Sequence, residues 1–294
     1  MTMPEGRFAD IGRLRVHYHR AGSGRVLVLL HGWPEFAGAW KKVLPVLANE
    51  YDTIAPDLRG FGRTEALSDE GRAPADAAAF ADDLKLFIDT LKIEKIGIVA
   101  HDVGGAVAQA FARAHPDRTF GLFLFNGMYP GIGKRLGAAE HLPETWYQYF
   151  HRLDMAEELV GYNRDTVRIY IRHFLKHWAK DPTAFDSEIE AWTDNFMRPG
   201  NLIGGFNWYR ATADMRMKLI RDGAPTMEKI KTPTRVLWGR DDPVLKSAWV
   251  EGLADYFADV EIDVVDNVGH FVHFEAPDLA NREILKFFAK IEKR

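Results

Sequence analysis

The segment Ile96-Gly97-Ile98-Val99-Ala100-His101-Asp102-Val103-Gly104-Gly105 decides the fold. Its first half is an apolar run of the kind that fills a buried strand. Small residues stand two before and two after Asp102 (Ala100 and Gly104), so the chain can turn sharply there without side-chain collisions. The residues from Gly105 to Ala114 are small and suit a helix. Strand, sharp turn and helix in this order form a nucleophile elbow, which holds the central side chain exposed above a sheet. Here that side chain is an aspartate. The four serines of the chain (Ser23, Ser68, Ser187 and Ser247) lie elsewhere, which argues against a serine hydrolase. A carboxylate is ionised at neutral pH, and a helix N-terminus with free N–H groups favours that state. It needs no base to activate it and can attack an sp³ carbon to give an ester on the protein. Taken alone, an aspartate here is also an ordinary helix N-cap.

Outward from this turn, strand and helix patterns alternate. Strands are predicted at Leu14 to His19, Val26 to Leu30, Tyr51 to Ala55, Ile96 to Ala100 and Phe120 to Phe125, with a helix over Ala78 to Leu91. From about Tyr129 to Asp222 the pattern is helical and rich in aromatics. Strand signals return at Thr234 to Trp238 and Val260 to Val265, before a closing helix from about Leu279 to Ile291. Such alternation predicts an α/β fold with a mostly parallel central sheet flanked by helices. The expected division is a core of residues 1–128 and 223–294, interrupted by a helical insertion at 129–222.

Three further segments fall where a reactive site on such a sheet would need them. His31-Gly32-Trp33-Pro34 follows a strand directly, so the Trp33 N–H can reach the top of the sheet beside that of Val103. Two such donors make an oxyanion hole, each worth about 3 kcal/mol to a tetrahedral intermediate. Gly269-His270-Phe271 follows the last strand, and Trp238-Gly239-Arg240-Asp241-Asp242 ends the strand before it. An acid there can orient the His270 imidazole; Asp242 is the expected one, with Asp241 the competing position. The chain order nucleophile, acid, histidine is that of hydrolases on this kind of sheet.

The 294 residues carry 38 Lys+Arg against 42 Asp+Glu, a net charge of −4, with no cysteine. Disulfides, thiolate catalysis and Cys-based metal sites are excluded. The mild acidity gives no pull towards nucleic acid or anionic lipid. No apolar run approaches the ~18 residues of a membrane span, and the N-terminus shows no secretory signal pattern; a soluble, cytoplasmic protein is expected. His173 and His177 are spaced i, i+4, but with no Glu in an HExxH pattern and no third ligand they are read as surface residues, and no metal is expected.

Taken together, HGWPEF at His31, PDLRGFGRTE at Pro56, AHDVGG at Ala100, LWGRDDPV at Leu237 and VGHFVHFEAP at Val268 resemble the α/β-hydrolase superfamily. Within it they resemble the bacterial epoxide hydrolases with an aspartate nucleophile. ETWYQYFHRLDMAEELVG at Glu144 and GGFNWYRA at Gly204 are similar to the cap segments of those enzymes. The resemblance implies an epoxide hydrolase that makes vicinal diols from small epoxides and water, without metal or organic cofactor. It implies Asp102 as nucleophile, His270 as base and Asp242 as its orienting acid, with Trp33 and Val103 as the oxyanion hole. It also implies Tyr147 and Tyr209 as the cap tyrosines that hold the epoxide oxygen, and a cis peptide at Trp33–Pro34. Tyr149 competes with Tyr147, but on a helix the two point about 200° apart. Trp146, Phe36, Phe206 and Trp208 are the expected substrate-lining residues. Two other readings compete: a haloalkane or haloacid dehalogenase on the same fold, and a non-catalytic small-ligand binder. The sequence leaves open whether the chain acts as a monomer or a homodimer.

Overall fold

The computed structural model describes residues 2–293; Met1 and Arg294, which the expected core includes, lie outside the described residues. Among the described residues nine strands form one sheet: β1 (Gly6–Asp10), β2 (Leu14–Ala21), β3 (Val26–Leu30), β4 (Asp52–Pro56), β5 (Glu65–Ala66), β6 (Ile96–His101), β7 (Thr119–Phe125), β8 (Thr234–Gly239) and β9 (Val260–Val265). The spatial order is β1-β2-β4-β3-β6-β7-β8-β9, with the two-residue β5 beside β2. Pairing is parallel from β4 across to β9 and antiparallel where β2 meets β1, β4 and β5.

Side chains that alternate along the central strands explain why both faces are covered. Leu27, Leu29, Val99, Phe123, Phe125 and Leu237 point to one side, into a core with Trp40, Leu44, Ile284 and Phe288. Val28, Leu30, Ile98, Ala100, Leu122, Leu124 and Val236 point to the other, where they meet Phe80, Leu84, Phe87, Val107 and Phe111. The period-2 alternation of a strand thus feeds two apolar layers. Helices Ala77–Thr90 and Val103–Ala114 cover one face, and Pro277–Glu292 the other. A strand buried on both faces reads as a continuous apolar run, as VLVLL in β3 does.

Between β7 and β8 helices run from Pro130–Gly137 to Ala213–Asp222, with turns over 179–188 and no strand among the described residues. This stretch packs over Trp33, whose ring lies against Tyr147, Phe174, Trp178 and Tyr209. Among the described residues no helix is long and apolar enough to cross a membrane.

Candidate active site

β6 delivers Asp102 and the helix Val103–Ala114 leaves it at once. Asp102 has φ 47° and ψ −113°, a backbone region that L-residues rarely adopt. Such strain, of order 1–3 kcal/mol, persists only where the surroundings impose it. They do: a Cβ on Gly104 would stand 2.4 Å from the Leu30 carbonyl oxygen, and one on Gly32 would stand 2.5 Å from the Asp102 Cβ. Both glycines are therefore needed for the close approach of the β3 loop to the turn.

Asp102 occupies the N-cap position of its helix, but its side chain makes no capping hydrogen bond. Its Oδ1 instead accepts from Trp33 N at 2.9 Å. The side chain is 15% exposed, so it is reachable but not solvated as a surface cap would be. Trp33–Pro34 is cis. His31 shapes the same loop: its Nε2 accepts from Leu58 N at 3.0 Å, which leaves Nδ1 to donate to the Gly32 carbonyl at 2.9 Å. Val103 is buried in the cavity wall next to Asp102.

His270 lies after β9, fully buried, with Nε2 3.9 Å from Asp102 Oδ2. Its Nδ1 donates to Asp242 Oδ2 at 2.7 Å. Asp242 is held on all sides: Oδ1 accepts from Val244 N and Leu245 N at 2.9 Å each, and Oδ2 also accepts from Asn126 Nδ2 at 2.5 Å. Asp241, the competing acid, instead pairs with Lys180 at 3.1 Å and stands apart from His270. Burial alone would lower the His270 pKa. The charge and hydrogen bond of Asp242, helped by Asp102 and Glu35, outweigh it and raise the value to about 9.

Beneath the pair lies a buried cluster that sequence reasoning did not assign. Glu35 Oε2 accepts from Gly32 N and from His101 Nδ1, both at 2.8 Å. His101 Nε2 donates to the His270 carbonyl at 3.0 Å. Both ring nitrogens of His101 are thus engaged, one by Glu35 and one by the His270 carbonyl. His273 Nε2 stands 3.0 Å from Glu35 Oε1; burial lowers its pKa to about 4 despite that carboxylate. The ligand atoms of these three residues all lie within 4.8 Å, close enough for a cation to bridge. With the bonds present, Glu35 ties together the loops that carry Trp33, Asp102 and His270.

Asp102 opens onto a cavity of about 320 Å³ lined by Tyr147, Gln148, Trp208, Tyr209, Arg216 and mostly apolar side chains. Tyr147 and Tyr209 are buried, at 4% and 3% exposure, with ring centroids 5.3 Å apart. Burial, together with the Asp102 charge, raises both phenol pKa values, so both remain proton donors. Tyr147 stacks on Trp33 with ring centroids 5.3 Å apart. Tyr149 is turned away, 41% exposed against Met217.

Three expected lining residues lie outside the cavity. Trp146 is 42% exposed and packs on Phe150 and Phe174, because one helical step rotates it about 100° from Tyr147. Phe206 is consumed by stacking on His151 at 4.0 Å, and Phe36 turns edge-on to Trp192 at 4.9 Å. Trp208 does line the cavity, and its other side walls a second groove of about 580 Å³ beside Arg59, Arg63 and Arg198. That larger groove holds none of the groups gathered at Asp102. His177 pairs with Glu144 at 2.7 Å and stacks on His173, near the surface. Asn126 was also missed. It sits at the end of β7 with φ 36°, a conformation that Asn tolerates better than most residues.

The model of the alpha/beta hydrolase fold family matches residues 25–277, and the chain belongs to that family. It is 33% identical over 293 residues to the soluble epoxide hydrolase of Corynebacterium sp. (strain C12), covering 96% of each chain. It is 28% identical over 245 residues to a fluoroacetate dehalogenase of Burkholderia sp., covering 80% of this chain and 77% of that one. Among solved structures, the epoxide hydrolase CorEH without ligand superposes with a TM-score of 0.83 at 31% identity, over 98% of this chain and 99% of that one.

Proposed function

We propose that this hydrolase opens small epoxides to vicinal diols through a covalent ester on Asp102. The observation that carries the reading is the Asp102 carboxylate itself. It is released from helix capping, bonded to Trp33 N, and shares one cavity with two buried phenols. Similarity to the Corynebacterium epoxide hydrolase along nearly the whole chain supports it. Residues 129–222 act as the cap that brings the phenols over the sheet.

In the first step an Asp102 oxygen attacks an epoxide carbon. The ring C–O bond breaks, its electron pair goes to the ring oxygen, and Tyr147 with Tyr209 supplies the hydrogen bond and proton that this oxygen needs. A hydroxyalkyl ester and a phenolate result. Esterification removes the Asp102 charge, which is one cause of the raised His270 pKa. His270, protonated while Asp102 was charged, gives its proton to the phenolate, which restores the phenol, and the neutral imidazole is then a competent base. It takes a proton from water, and the hydroxide adds to the ester carbonyl. The Trp33 and Val103 amides stabilise the oxyanion, contributing about 3 kcal/mol each. Collapse expels the diol oxygen, which takes the proton of the added hydroxyl; the Asp102 carboxylate is restored, and the proton taken from water stays on His270. Each step uses only side chains, amides and water.

The dehalogenase reading has less support. Val103 has no side-chain donor for a halide, and the unpartnered Trp33 Nε1 faces Gly205 rather than the cavity. A single turnover in ¹⁸O-water with excess enzyme tests the mechanism. The label is expected in the Asp102 carboxylate; label found directly in the diol overturns the covalent route. Styrene oxide, epichlorohydrin and 1,2-dibromoethane separate the classes: diol alone supports the reading, and bromide release from the saturated halide favours dehalogenation. Turnover of none of them leaves only a ligand binder.

A further inference from the structure

Among the described residues three arginines are buried to 8% exposure or less: Arg59, Arg216 and Arg235. Arg59 is paired with Asp83, and Arg235 with Asp263 and Glu283. Arg216 alone has no carboxylate within 4.0 Å among the described residues. A buried, unpaired cation costs roughly several kcal/mol, so its position calls for a compensating role. Its side chain lies in the wall of the cavity that holds Asp102.

The partners of Arg216 form a chain that leads to the phenol. Nη1 donates to Gln148 Oε1 at 2.8 Å, and Nε donates to Thr212 Oγ1 at 3.1 Å. Gln148 Nε2 in turn donates to Tyr147 Oη at 3.2 Å. The guanidinium also stands 5.3 Å from the Tyr209 ring centre. A phenol oxygen that accepts one hydrogen bond is a better donor of its own proton, and a charge at the far end of the chain strengthens each link. Both phenols are otherwise disfavoured from carrying negative charge by burial and by Asp102.

On that reading of Asp102, we propose that Arg216 and Gln148 are positioning residues for ring opening, a relay that stabilises the negative charge passed from the epoxide oxygen to Tyr147. No new covalent step is involved. The proton moves from Tyr147 to the ring oxygen as the ring C–O bond breaks, and the relay holds the phenolate left behind. Its effect is confined to ester formation, because ester hydrolysis develops charge at the oxyanion donors of Trp33 and Val103 instead. It also scales with the basicity of the alkoxide being released.

Rapid-quench kinetics with mass detection of the Asp102 adduct test this on the full chain. The substrates are 1,2-epoxypropane and its 3,3,3-trifluoro analogue, whose alkoxide is far less basic. Arg216→Met is expected to slow ester formation about 10- to 100-fold with 1,2-epoxypropane. With the trifluoro analogue the loss shrinks several-fold, and the rate of ester hydrolysis is unchanged. Arg216→Lys recovers part of the rate. Gln148→Glu, which leaves the arginine in place but cancels its charge, loses ester formation as Arg216→Met does. Equal slowing of both substrates, or of both steps, overturns the relay in favour of a scaffold role. A KM increase confined to an anionic epoxide such as glycidate overturns it in favour of a substrate anchor. If the wild-type protein forms no adduct at Asp102, the epoxide reading itself falls, and the relay with it.

Discussion

Replacing Asp242 with asparagine separates the two chemical steps. Two backbone amides, Val244 N and Leu245 N, bond to Asp242 Oδ1, so the asparagine carbonyl must occupy that place. Its NH2 group then stands where Oδ2 was, 2.7 Å from His270 Nδ1. As a donor it makes Nδ1 the acceptor and moves the imidazole proton to Nε2, the nitrogen that faces Asp102. His270 can then no longer take a proton from water there. In serine-hydrolase triads the same exchange costs about 10⁴ in rate through the same tautomer change, or about 5 kcal/mol. We expect ester hydrolysis to fall by that order, while ester formation, which does not use His270 as a base, changes only a few-fold. The new NH2 also meets Asn126 Nδ2, held at 2.5 Å from the Oδ2 position. Asn126 cannot flip without losing the bond its Oδ1 accepts from Gly239 N. Two opposed donors should lower stability by roughly 1–3 kcal/mol, seen as a lower urea midpoint. Intact-mass analysis of quenched reactions should show about one adduct per chain that persists for many wild-type turnovers. Hydrolysis of that adduct at near wild-type rate would refute the assigned role of the Asp242–His270 pair.

Two other outcomes follow from the same geometry. Tyr147→Phe and Tyr209→Phe should each slow adduct formation about a hundredfold, and together should nearly abolish it, with hydrolysis of a preformed ester unaffected; single variants that both keep full adduct formation rule out the phenols as proton donors. Stability should fall on both sides of neutrality. His270 has a folded-state pKa of about 9, above its reference of 6.5, so its contribution of about 3 kcal/mol is complete below the reference value and lost as pH rises towards 9. His273, lowered to about 4, contributes with the opposite sign: its share is present above 6.5 and lost as pH falls towards 4. Urea midpoints across pH 4–10 read both limbs, and His270→Gln should flatten only the alkaline one.

The parts of the site that were legible in the sequence share one property: local geometry imposes a residue type. The small residues around Asp102 are demanded by the turn, and the apolar run before it by a strand covered on both faces. The helical angle allowed only one of Tyr147 and Tyr149 to face the site, and the choice of Tyr147 came from the resemblance. The parts that were not legible depend on contacts between distant segments. β1 has only Phe8 and Ala9 as apolar residues, too few for a strand signal, and is fixed by pairing with β2. Glu35 sits inside the HGWPEF segment, but its role appears only when His101 and His273 arrive from 66 and 238 positions away. Arg216 has the same character, since nothing in ATADMRMKLI distinguishes a buried arginine from a solvated one. The misplaced lining residues fail for the converse reason. Large aromatics were expected to face the substrate, yet Trp146 and Phe206 spend their surface on Phe174 and His151, and of the four expected lining residues Trp208 reaches the cavity wall.

The arrangement also explains how one imidazole can stay silent in the first step and act in the second. With Asp102 ionised, three carboxylates bear on His270: Asp242 in contact, Asp102 at 3.9 Å, and Glu35 beneath. Their summed field keeps the ring protonated at neutral pH, so it cannot draw water onto the epoxide before capture. Ester formation deletes one of those charges and only that one. The histidine's proton affinity falls as a carbonyl appears for water to attack, and the phenolate left by ring opening takes its proton. A neutral nucleophile in the same turn could not produce this change, because its acylation or alkylation removes no charge. On the proposed reading, the aspartate at position 102 thus sets the order of the two steps as well as supplying the attacking oxygen.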